Sequence, residues 1–298
     1  MLCGRFVVPV VFVALLASLA GCGGPPQGTD SDLVDDWVML PAAKVAVPLT
    51  GVCYRSFSAR SSDMHTVVAF SSEALECTAP HESETFYVGT VAEAADPPRG
   101  AALATAYGTC STKAKDFLGE DWHNGLVDLL TLVPSSTQWR GGARYLRCDL
   151  VEIKSNVGYV VQRNTSLKDG LRGTRPAART CAKSVLSGED LQDMTAVPCT
   201  APHDAEYAGT YMSNAPTYPS TFDKRRDVVG DGCFAIVAQY VGLTEAKLDG
   251  VKDFNMGWWM TDEEPWAYGD RSTTCLIFLS TPGKTISKSL KGNGTAKI

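Results

Sequence analysis

The spacing of the cysteines constrains this fold more than any other feature of the sequence. After residue 22 the chain carries eight cysteines in two sets of four, with gaps of 24, 33 and 38 residues in the first set and 18, 34 and 42 in the second. An even number of cysteines at matching spacings predicts disulfides in an oxidising, extracytoplasmic compartment. A four-cysteine zinc site would require closely spaced pairs, which these gaps do not provide. The predicted disulfide cysteines are Cys53, Cys77, Cys110, Cys148, Cys181, Cys199, Cys233 and Cys275.

Motifs around these cysteines recur in the same order. The octapeptide CTAPHESE at Cys77 returns as CTAPHDAE at Cys199, and an aromatic residue and then Gly follow both Cys110 and Cys233. A Trp-x-x-Gly-x-Arg element precedes the last cysteine of each set. The repeat is far longer than a solenoid unit, so we predict two tandem, duplicated domains. The motif residues are Pro80, His81, Glu84, Trp139 and Arg144 in the first repeat, and Pro202, His203, Asp204, Glu206, Trp266, Gly269, Asp270 and Arg271 in the second.

The duplication limits the disulfide pairing without fixing it. If both domains close on themselves in the same way, only the three connectivities of four cysteines remain, and the sequence does not choose among them. Each bridge is expected to stabilise its domain by about 2–4 kcal/mol.

Hydrophobic patterns within each repeat indicate mixed structure. One main helix per repeat is predicted, at about 109–119 and at 231–242, the second capped by Asp231. Strands are predicted at 67–70, 85–91, 145–153, 194–199, 206–212 and 273–279. We therefore expect an α+β fold of two disulfide-stabilised domains, each with a small antiparallel sheet and one main helix.

The N-terminus predicts secretion and lipid attachment. Arg5 precedes the apolar run 6–16, which is shorter than a confident membrane span. The following Leu-Ala-Gly-Cys resembles the lipobox of bacterial lipoproteins, whose cysteine is acylated. We expect a signal peptide at 1–21 and a lipidated Cys22 at the extracytoplasmic face of the cell membrane. An ordinary signal peptide and an uncleaved membrane anchor are the alternatives.

Composition places the remaining boundaries. Gly, Pro and Asp dominate the start of 22–44, which predicts a flexible tether. The two domains are assigned to 45–173 and 174–280. The segment 281–298 holds four lysines and no acidic residue, which predicts a disordered basic tail, with contact to anionic wall polymer or lipid as the alternative.

The repeated motifs resemble the actinobacterial septum-formation domain. The likeness rests on Cys-x-x-Pro-His-[Asp/Glu]-x-Glu, a later Cys with an aromatic residue and Gly, and Trp-x-x-Gly-Asp-Arg-x-x-x-Cys. It covers roughly Val45 to Ser280 in two copies, and the first copy has Ala143 where the second has Asp270. The resemblance implies a link to cell division and brings no defined activity with it.

Each repeat has a histidine three residues before a glutamate, His81 with Glu84 and His203 with Glu206. Such a pair can serve acid–base catalysis or a metal site. Because positions i and i+3 of an extended strand face opposite sides, we favour a structural role at the bend that follows the proline. We also expect each glutamate to form an ion pair with the motif arginine of its own repeat. These pairs would be Glu84–Arg144 and Glu206–Arg271.

Other features exclude whole function classes. A net charge of −6 leaves no general basic surface for nucleic acid. The sequence has no Gly-x-Ser-x-Gly nucleophile motif and no Gly-rich phosphate loop, so we predict no enzyme, no cofactor and no metal. Trp139 and Trp266 recur and are assigned to the core, whereas Trp258 and Trp259 do not recur and could present a surface to a sugar or peptide.

These features predict a lipid-anchored extracytoplasmic binding or scaffolding protein of the bacterial cell envelope, related to septum formation. Its partners would be the membrane, through the lipid, and an unidentified envelope or division protein or wall polymer. The alternatives are an envelope hydrolase that uses a His/Glu pair and a solute-binding lipoprotein, which requires a deep cleft between the domains.

Overall fold

The described part of the chain contains two antiparallel sheets, each covered by one main helix. The computed structural model describes residues 46–56, 74–155, 160–187 and 190–294. The first half contains β1 (Val52–Tyr54), β2 (Ala74–Leu75), β3 (Ser83–Thr90), α1 (Ala104–Leu118), β4 (Val127–Leu132), α2 (Ser136–Arg140) and β5 (Tyr145–Glu152). The second contains β6 (Cys181–Ser187), β7 (Asp190–Val197), β8 (Ala205–Met212), α3 (Phe222–Val241), α4 (Glu245–Leu248), β9 (Phe254–Met260), α5 (Glu263–Ala267) and β10 (Ser272–Leu279).

The two sheets have corresponding strand orders, β2-β1-β3-β5-β4 and β7-β6-β8-β10-β9. Every pairing within them is antiparallel. In each sheet the register of the central strand pair shifts once. The shift falls between Thr85 and Tyr87 in the β3–β5 pair and between Cys275 and Leu276 in the β8–β10 pair. The predicted α+β class is confirmed.

The main helices pack on the sheets through small and apolar side chains. In α3 these include Val229, Cys233 and Val237, which are fully buried. Gly232 belongs to the same contact between helix and sheet, because a Cβ added there would come 2.3 Å from the Tyr211 ring. This glycine therefore lets α3 approach β8 closely.

Both main helices end where predicted and begin earlier. Gly119 and Gly242 follow the last turns with φ of 95° and 77°, the left-handed conformation that glycine adopts readily. The predicted Asp231 cap is wrong, because Thr221 caps α3 by accepting a hydrogen bond from the Lys224 amide. The first turns of α3 are largely exposed, so they lack the apolar periodicity on which the prediction relied.

The disulfides that the cysteine count predicts are present, and neighbouring cysteines pair within each half. One bridge of each half joins its first strand to the turn before the third, and the other joins the main helix to the last strand. The four bridges are Cys53–Cys77, Cys110–Cys148, Cys181–Cys199 and Cys233–Cys275. The structure thus selects one of the three connectivities that the sequence left open.

The described residues from 46 onward belong to one compact unit, and the contacts of two alanines bear on the predicted boundary at 173. Ala177 and Ala178 pack in the core of the first half. The backbone amide of Leu126 also donates to the Ala177 carbonyl. The first half therefore extends about five residues beyond 173.

The segment assigned to a disordered basic tail is folded as far as residue 294. Ile286 exchanges two backbone hydrogen bonds with His203, and the Leu290 side chain is only 5% exposed. The prediction failed because lysines dominate the composition, whereas Ile286, Ser289 and Leu290 between them make the contacts.

Several predictions fall outside the described residues. They are the signal peptide, the lipidation site Cys22, the tether at 22–44 and the strand at 67–70. Within the part that the structure describes, no helix combines the length and the apolar character that crossing a membrane requires.

Candidate functional site

The His203–Glu206 pair lies inside the second half. Pro202 ends the turn after Cys199, and His203 pairs in an isolated bridge with Ile286 before β8 begins. His203 Nδ1 donates to the Ala201 carbonyl at 2.8 Å, and Nε2 lies 3.2 Å from Glu206 Oε1. Both side chains are buried, at 0% and 1% exposure. The bend brings together two side chains that a straight strand would have separated.

The Glu206 carboxylate is surrounded by donors. Oε1 also accepts from the Leu290 amide at 2.7 Å, and Oε2 accepts from the hydroxyls of Tyr240 at 2.7 Å and Ser289 at 2.8 Å. A buried carboxylate is stable when donors fill its lone pairs in this way. Glu206 therefore fastens β8 to the C-terminal segment 281–294, which we call the strap.

The first half contains a partial copy of this cluster. Glu84 accepts from the Ser166 hydroxyl at 2.6 Å and from the Leu167 amide at 2.7 Å. His81 Nδ1 bonds the Ala79 carbonyl at 2.8 Å, as in the second half, but its buried Nε2 has no partner among the described residues. The first cluster also lacks a tyrosine hydroxyl, because Phe117 stands where the second half has Tyr240.

These contacts identify a repeated element that the sequence analysis missed. Ser166-Leu167-Lys168 and Ser289-Leu290-Lys291 are the same tripeptide, and each binds the glutamate of its own half. Each segment also bonds the C-terminal end of its main helix, at the carbonyls of Phe117 and Leu118 or of Tyr240 and Val241. The repeated Ser-Leu-Lys was the available signal.

The predicted ion pairs Glu84–Arg144 and Glu206–Arg271 are wrong. Arg144 instead lies 4.0 Å from the centroid of the Trp139 ring, donates to the Trp139 carbonyl and pairs with Glu93. Arg271 Nε is buried without a partner among the described residues. The glutamates need no arginine because hydroxyl and main-chain donors already occupy them.

Other motif residues support the turns and the core. Asp204 accepts from the amide and the hydroxyl of Ser184, and so joins β6 to the turn before β8. Gly269 has φ of 108°, which the left-handed turn before Asp270 requires. Trp139 and Trp266 are each 2% exposed, as expected of core residues.

The two tryptophans proposed for a surface are partly buried. Trp258 packs on the core beneath α3 and stacks with Phe222 at 5.7 Å between ring centroids. Trp259 packs against a smaller cluster around Met194. Phe222 is the more exposed aromatic, with 67% of its surface accessible.

Asp270 joins the two halves. Its Oδ1 lies 3.2 Å from His123 Nε2, while His123 Nδ1 lies 2.6 Å from Asp121 Oδ1. His123 belongs to the short 3-10 turn Trp122–Asn124 and stacks on Trp122 at 3.8 Å. The first half has Ala143 at the place of Asp270, so it has no carboxylate at this position.

This arrangement shifts the acidities of all three groups. Burial alone would lower the pKa of His123, but hydrogen bonds to Asp121 and Asp270 outweigh burial and raise that pKa from 6.5 to about 9. Burial opposes ionisation of the aspartates, yet their hydrogen bonds to His123 lower both pKa values. His123 is therefore a buried cation at neutral pH, held between two carboxylates.

A cleft of about 590 Å³ opens beside this contact. Both halves line it, through segments that include Arg175 and Arg179 on one side and Tyr207, Tyr240 and Lys291 on the other. The solute-binding alternative required a cleft between the halves, and this cleft has the size of typical small-molecule sites.

The described residues offer two groups of potential metal ligands, Cys53, Cys77 and Glu84, and Cys181, His203 and Glu206. In both groups the sulfur atoms belong to disulfides, so they are not thiolate ligands. In the second group Glu206 is already bonded to the strap and to Tyr240. The donor chemistry therefore fits a structural cluster.

The fold and these clusters define a disulfide-stabilised α+β protein whose motif histidines and carboxylates mainly hold its segments together. The sequence profile of the septum-formation family matches residues 51–275 in one span across both sheets, and the chain belongs to this family. Searches of curated proteins and of solved structures find no match.

Proposed function

We propose that this chain is a lipid-anchored binding or scaffolding protein on the extracytoplasmic face of the bacterial cell membrane, acting in septum formation without enzymatic chemistry. The family relationship indicates a role in cell division or the septum. The lipobox-like sequence ending at Cys22 supports the anchor, and the four disulfides fit an oxidising compartment.

The burial of the His203–Glu206 pair is the observation that favours a binding role over the hydrolase alternative. A hydrolase needs its acid and base within reach of the substrate. Here the histidine is 0% exposed, and the glutamate is bonded to the strap and to Tyr240. The pair that was the candidate for catalysis therefore holds β8, α3 and the strap together.

We also propose that the two halves are duplicated domains. They share a strand order, a disulfide pairing, the turn with its buried glutamate and the Ser-Leu-Lys element. Duplication accounts for all four correspondences at once. The departures, Asp270 against Ala143 and Tyr240 against Phe117, then mark where the copies have specialised.

Localisation and partner capture test this function. The full chain and its Cys22→Ala variant are expressed with a C-terminal fluorescent tag, and membrane and soluble fractions are compared. The proposal expects membrane retention, enrichment at the septum and crosslinks to a division or wall component for the wild type, and loss of retention for the variant. Even distribution along the envelope with no septal crosslink would contradict it.

A second experiment separates the binding role from the hydrolase alternative. His203→Gln should lower the melting temperature and reduce partner capture only to the extent that folded protein is lost. An envelope-degrading activity that disappears in this variant while its melting temperature stays unchanged would support the hydrolase instead.

A further inference from the structure

The outer edge of β9 lacks the features that usually protect an edge strand. Among the described strands β9 pairs only with β10, and the register of that pair is continuous. Its seven residues, FNMGWWM, include no charged residue and no proline. Edge strands are normally guarded by charges, prolines or bulges. Of the other edge strands, β4 carries Asp128, β7 carries Asp193 and β2 is only two residues long.

Alternate residues of β9 direct their backbone groups to this free edge. The Thr261 amide donates to the Ser272 carbonyl at 3.1 Å, and the Asp253 carbonyl accepts from the Ser280 amide at 3.0 Å. Odd-numbered residues therefore face β10, and the amides and carbonyls of even-numbered residues point outward. Within the described chain these outward groups form no hydrogen bond. The outward residues are Phe254, Met256, Trp258 and Met260.

Apolar side chains accompany the free edge. Met256, Trp258 and Trp259 are each only partly buried. Phe222, the first residue of α3, stacks on Trp258 with 5.7 Å between ring centroids and is 67% exposed. Aromatic residues and methionine are enriched at protein interfaces. The edge therefore offers apolar contact in addition to backbone pairing.

The charges next to β9 are of opposite sign at its two ends. Lys252 precedes the strand and Asp262 follows it. If a second β9 pairs antiparallel about a twofold axis at Gly257, Lys252 of each copy lies opposite Asp262 of the other. Opposite charges in this arrangement stabilise a strand pair, and like charges destabilise it.

The backbone independently selects the same register. With the axis at Gly257, Met256 lies opposite Trp258 of the second copy, and Phe254 lies opposite Met260. All four residues have outward amides and carbonyls, so each opposed pair can exchange hydrogen bonds. Gly257 itself falls in the closely spaced, non-hydrogen-bonded kind of pair and brings no side chain to the axis.

We propose that two copies of this chain form a symmetric dimer through antiparallel pairing of their β9 strands, which joins the two sheets. A second copy fits the edge because one register satisfies both the outward backbone groups and the charges at the strand ends. The contact closes on itself, so it makes a dimer and not a filament. This inference does not rest on the proposed septal function.

Sedimentation equilibrium of the full chain tests the proposal. The chain is held in a polyoxyethylene detergent whose density matches that of the buffer, so the measured mass is that of the protein. We expect a reversible monomer–dimer equilibrium without larger species.

Zero-length crosslinking locates the contact. A carbodiimide joins an ammonium group to a carboxylate without a spacer, and we expect it to join Lys252 to Asp262 in the dimer. Within one chain the extended strand separates these two residues by at least about 20 Å, so this crosslink forms only between copies.

Charge reversal tests the register. Lys252→Asp places carboxylates opposite each other, and Asp262→Lys does the same with ammonium groups. Each should weaken dimerisation by about tenfold, because the twofold axis repeats the repulsion. An equimolar mixture of the two variants should form a heterodimer of near wild-type affinity, since both opposite-charge pairs return. Lys168→Asp is the control, because it makes the same change at an exposed lysine of the first half.

Met256→Pro tests the backbone pairing. The variant removes an outward amide and leaves the hydrogen bonds to β10 in place, a position at which an edge strand tolerates proline. We expect it to weaken dimerisation by about tenfold or more. Melting temperatures verify that this variant and the charge variants fold.

Any of four results would overturn the proposal. The first is a wild-type chain that sediments as a monomer at every concentration, and the second is a dimer without the Lys252–Asp262 crosslink. The third is a dimer whose affinity is the same in Lys252→Asp as in the wild type. The fourth is a mixture of the two charge variants that dimerises no better than each alone. A monomer that still localises to the septum would keep the proposed function and lose only this contact.

Discussion

Among the single residues, Glu206 shows how a buried carboxylate can be stabilised without an ion-pairing arginine. It accepts hydrogen bonds from a main-chain amide and two hydroxyls and lies against His203. Hydrogen bonds to charged groups are worth about 1.5–3 kcal/mol each, and an orphaned partner costs more than a missing pair. Glu206 is therefore a point on which several segments depend.

Tyr240→Phe tests this dependence by giving the second half the residue found in the first. The variant loses one hydrogen bond to Glu206 and keeps the ring, so we expect a loss of about 1–3 kcal/mol in the free energy of unfolding. Urea titration followed by tryptophan fluorescence measures it. Tyr211→Phe is the matched control on β8, and an equal loss there would show that the effect does not come from Glu206.

A second buried charge was not predicted. Asp149 is fully buried and forms an ion pair with Arg147, and it also accepts from the Thr85 hydroxyl at 2.6 Å. The corresponding position in β10 is the apolar Leu276. No sequence pattern predicts this pair, because both residues belong to a strand whose other residues are mostly buried and apolar.

Asp149→Leu alone should cost about 3–5 kcal/mol, because it removes the carboxylate that forms the ion pair with the buried Arg147 guanidinium. The double variant Arg147→Met/Asp149→Leu should recover most of that loss. Chemical denaturation of both variants gives the comparison, and additive losses would contradict the pairing.

At the element scale, the strap is the segment whose structure differs most from what its composition predicts. Four lysines made 281–298 look like a solvated tail, yet residues up to 294 are placed by Ile286 on one side and by Leu290 in the core beneath α3. Its counterpart in the first half lies between β5 and β6, where it also bonds the end of the main helix.

Leu290→Ala should destabilise the protein by about 2–4 kcal/mol, because it removes a 5%-exposed side chain from a packed cluster. Thermal unfolding with Lys288→Ala as the exposed control measures the difference. A strap that behaves as a solvated tail would leave both variants at the wild-type melting temperature.

At the scale of the whole molecule, the His123–Asp270 contact between the two halves makes the free energy of unfolding depend on pH. The pKa of His123 is raised to about 9 when folded, against 6.5 for the ordinary group, so folding favours the protonated form. The resulting stability is fully present below about pH 6.5 and is lost as pH rises toward 9, roughly 3 kcal/mol at most.

We therefore expect the free energy of unfolding to fall between pH 6.5 and 9 in the wild type and to stay flatter over that range in His123→Gln. Urea titrations at several pH values measure the slope. Asp270→Asn should flatten the curve partly, since Asp121 remains beside the histidine. An unchanged slope in His123→Gln would assign the pH dependence to other groups.

Residue identity at fixed spacing was enough to predict the cysteine partition, the repeated order of motifs, the α+β class and the glycine ends of the main helices. It also placed Trp139 and Trp266 in the core, since recurrence at matching positions indicates packing. Three features could be seen only in the folded chain. They are the partners of Glu84 and Glu206, the Arg147–Asp149 pair and the His123–Asp270 contact. Most of these contacts join segments that are far apart in the chain, and the Arg147–Asp149 pair, although both residues lie in β5, is buried together with Thr85 of β3. Hydrogen-bond partners are set by distance in space, which residue spacing does not contain.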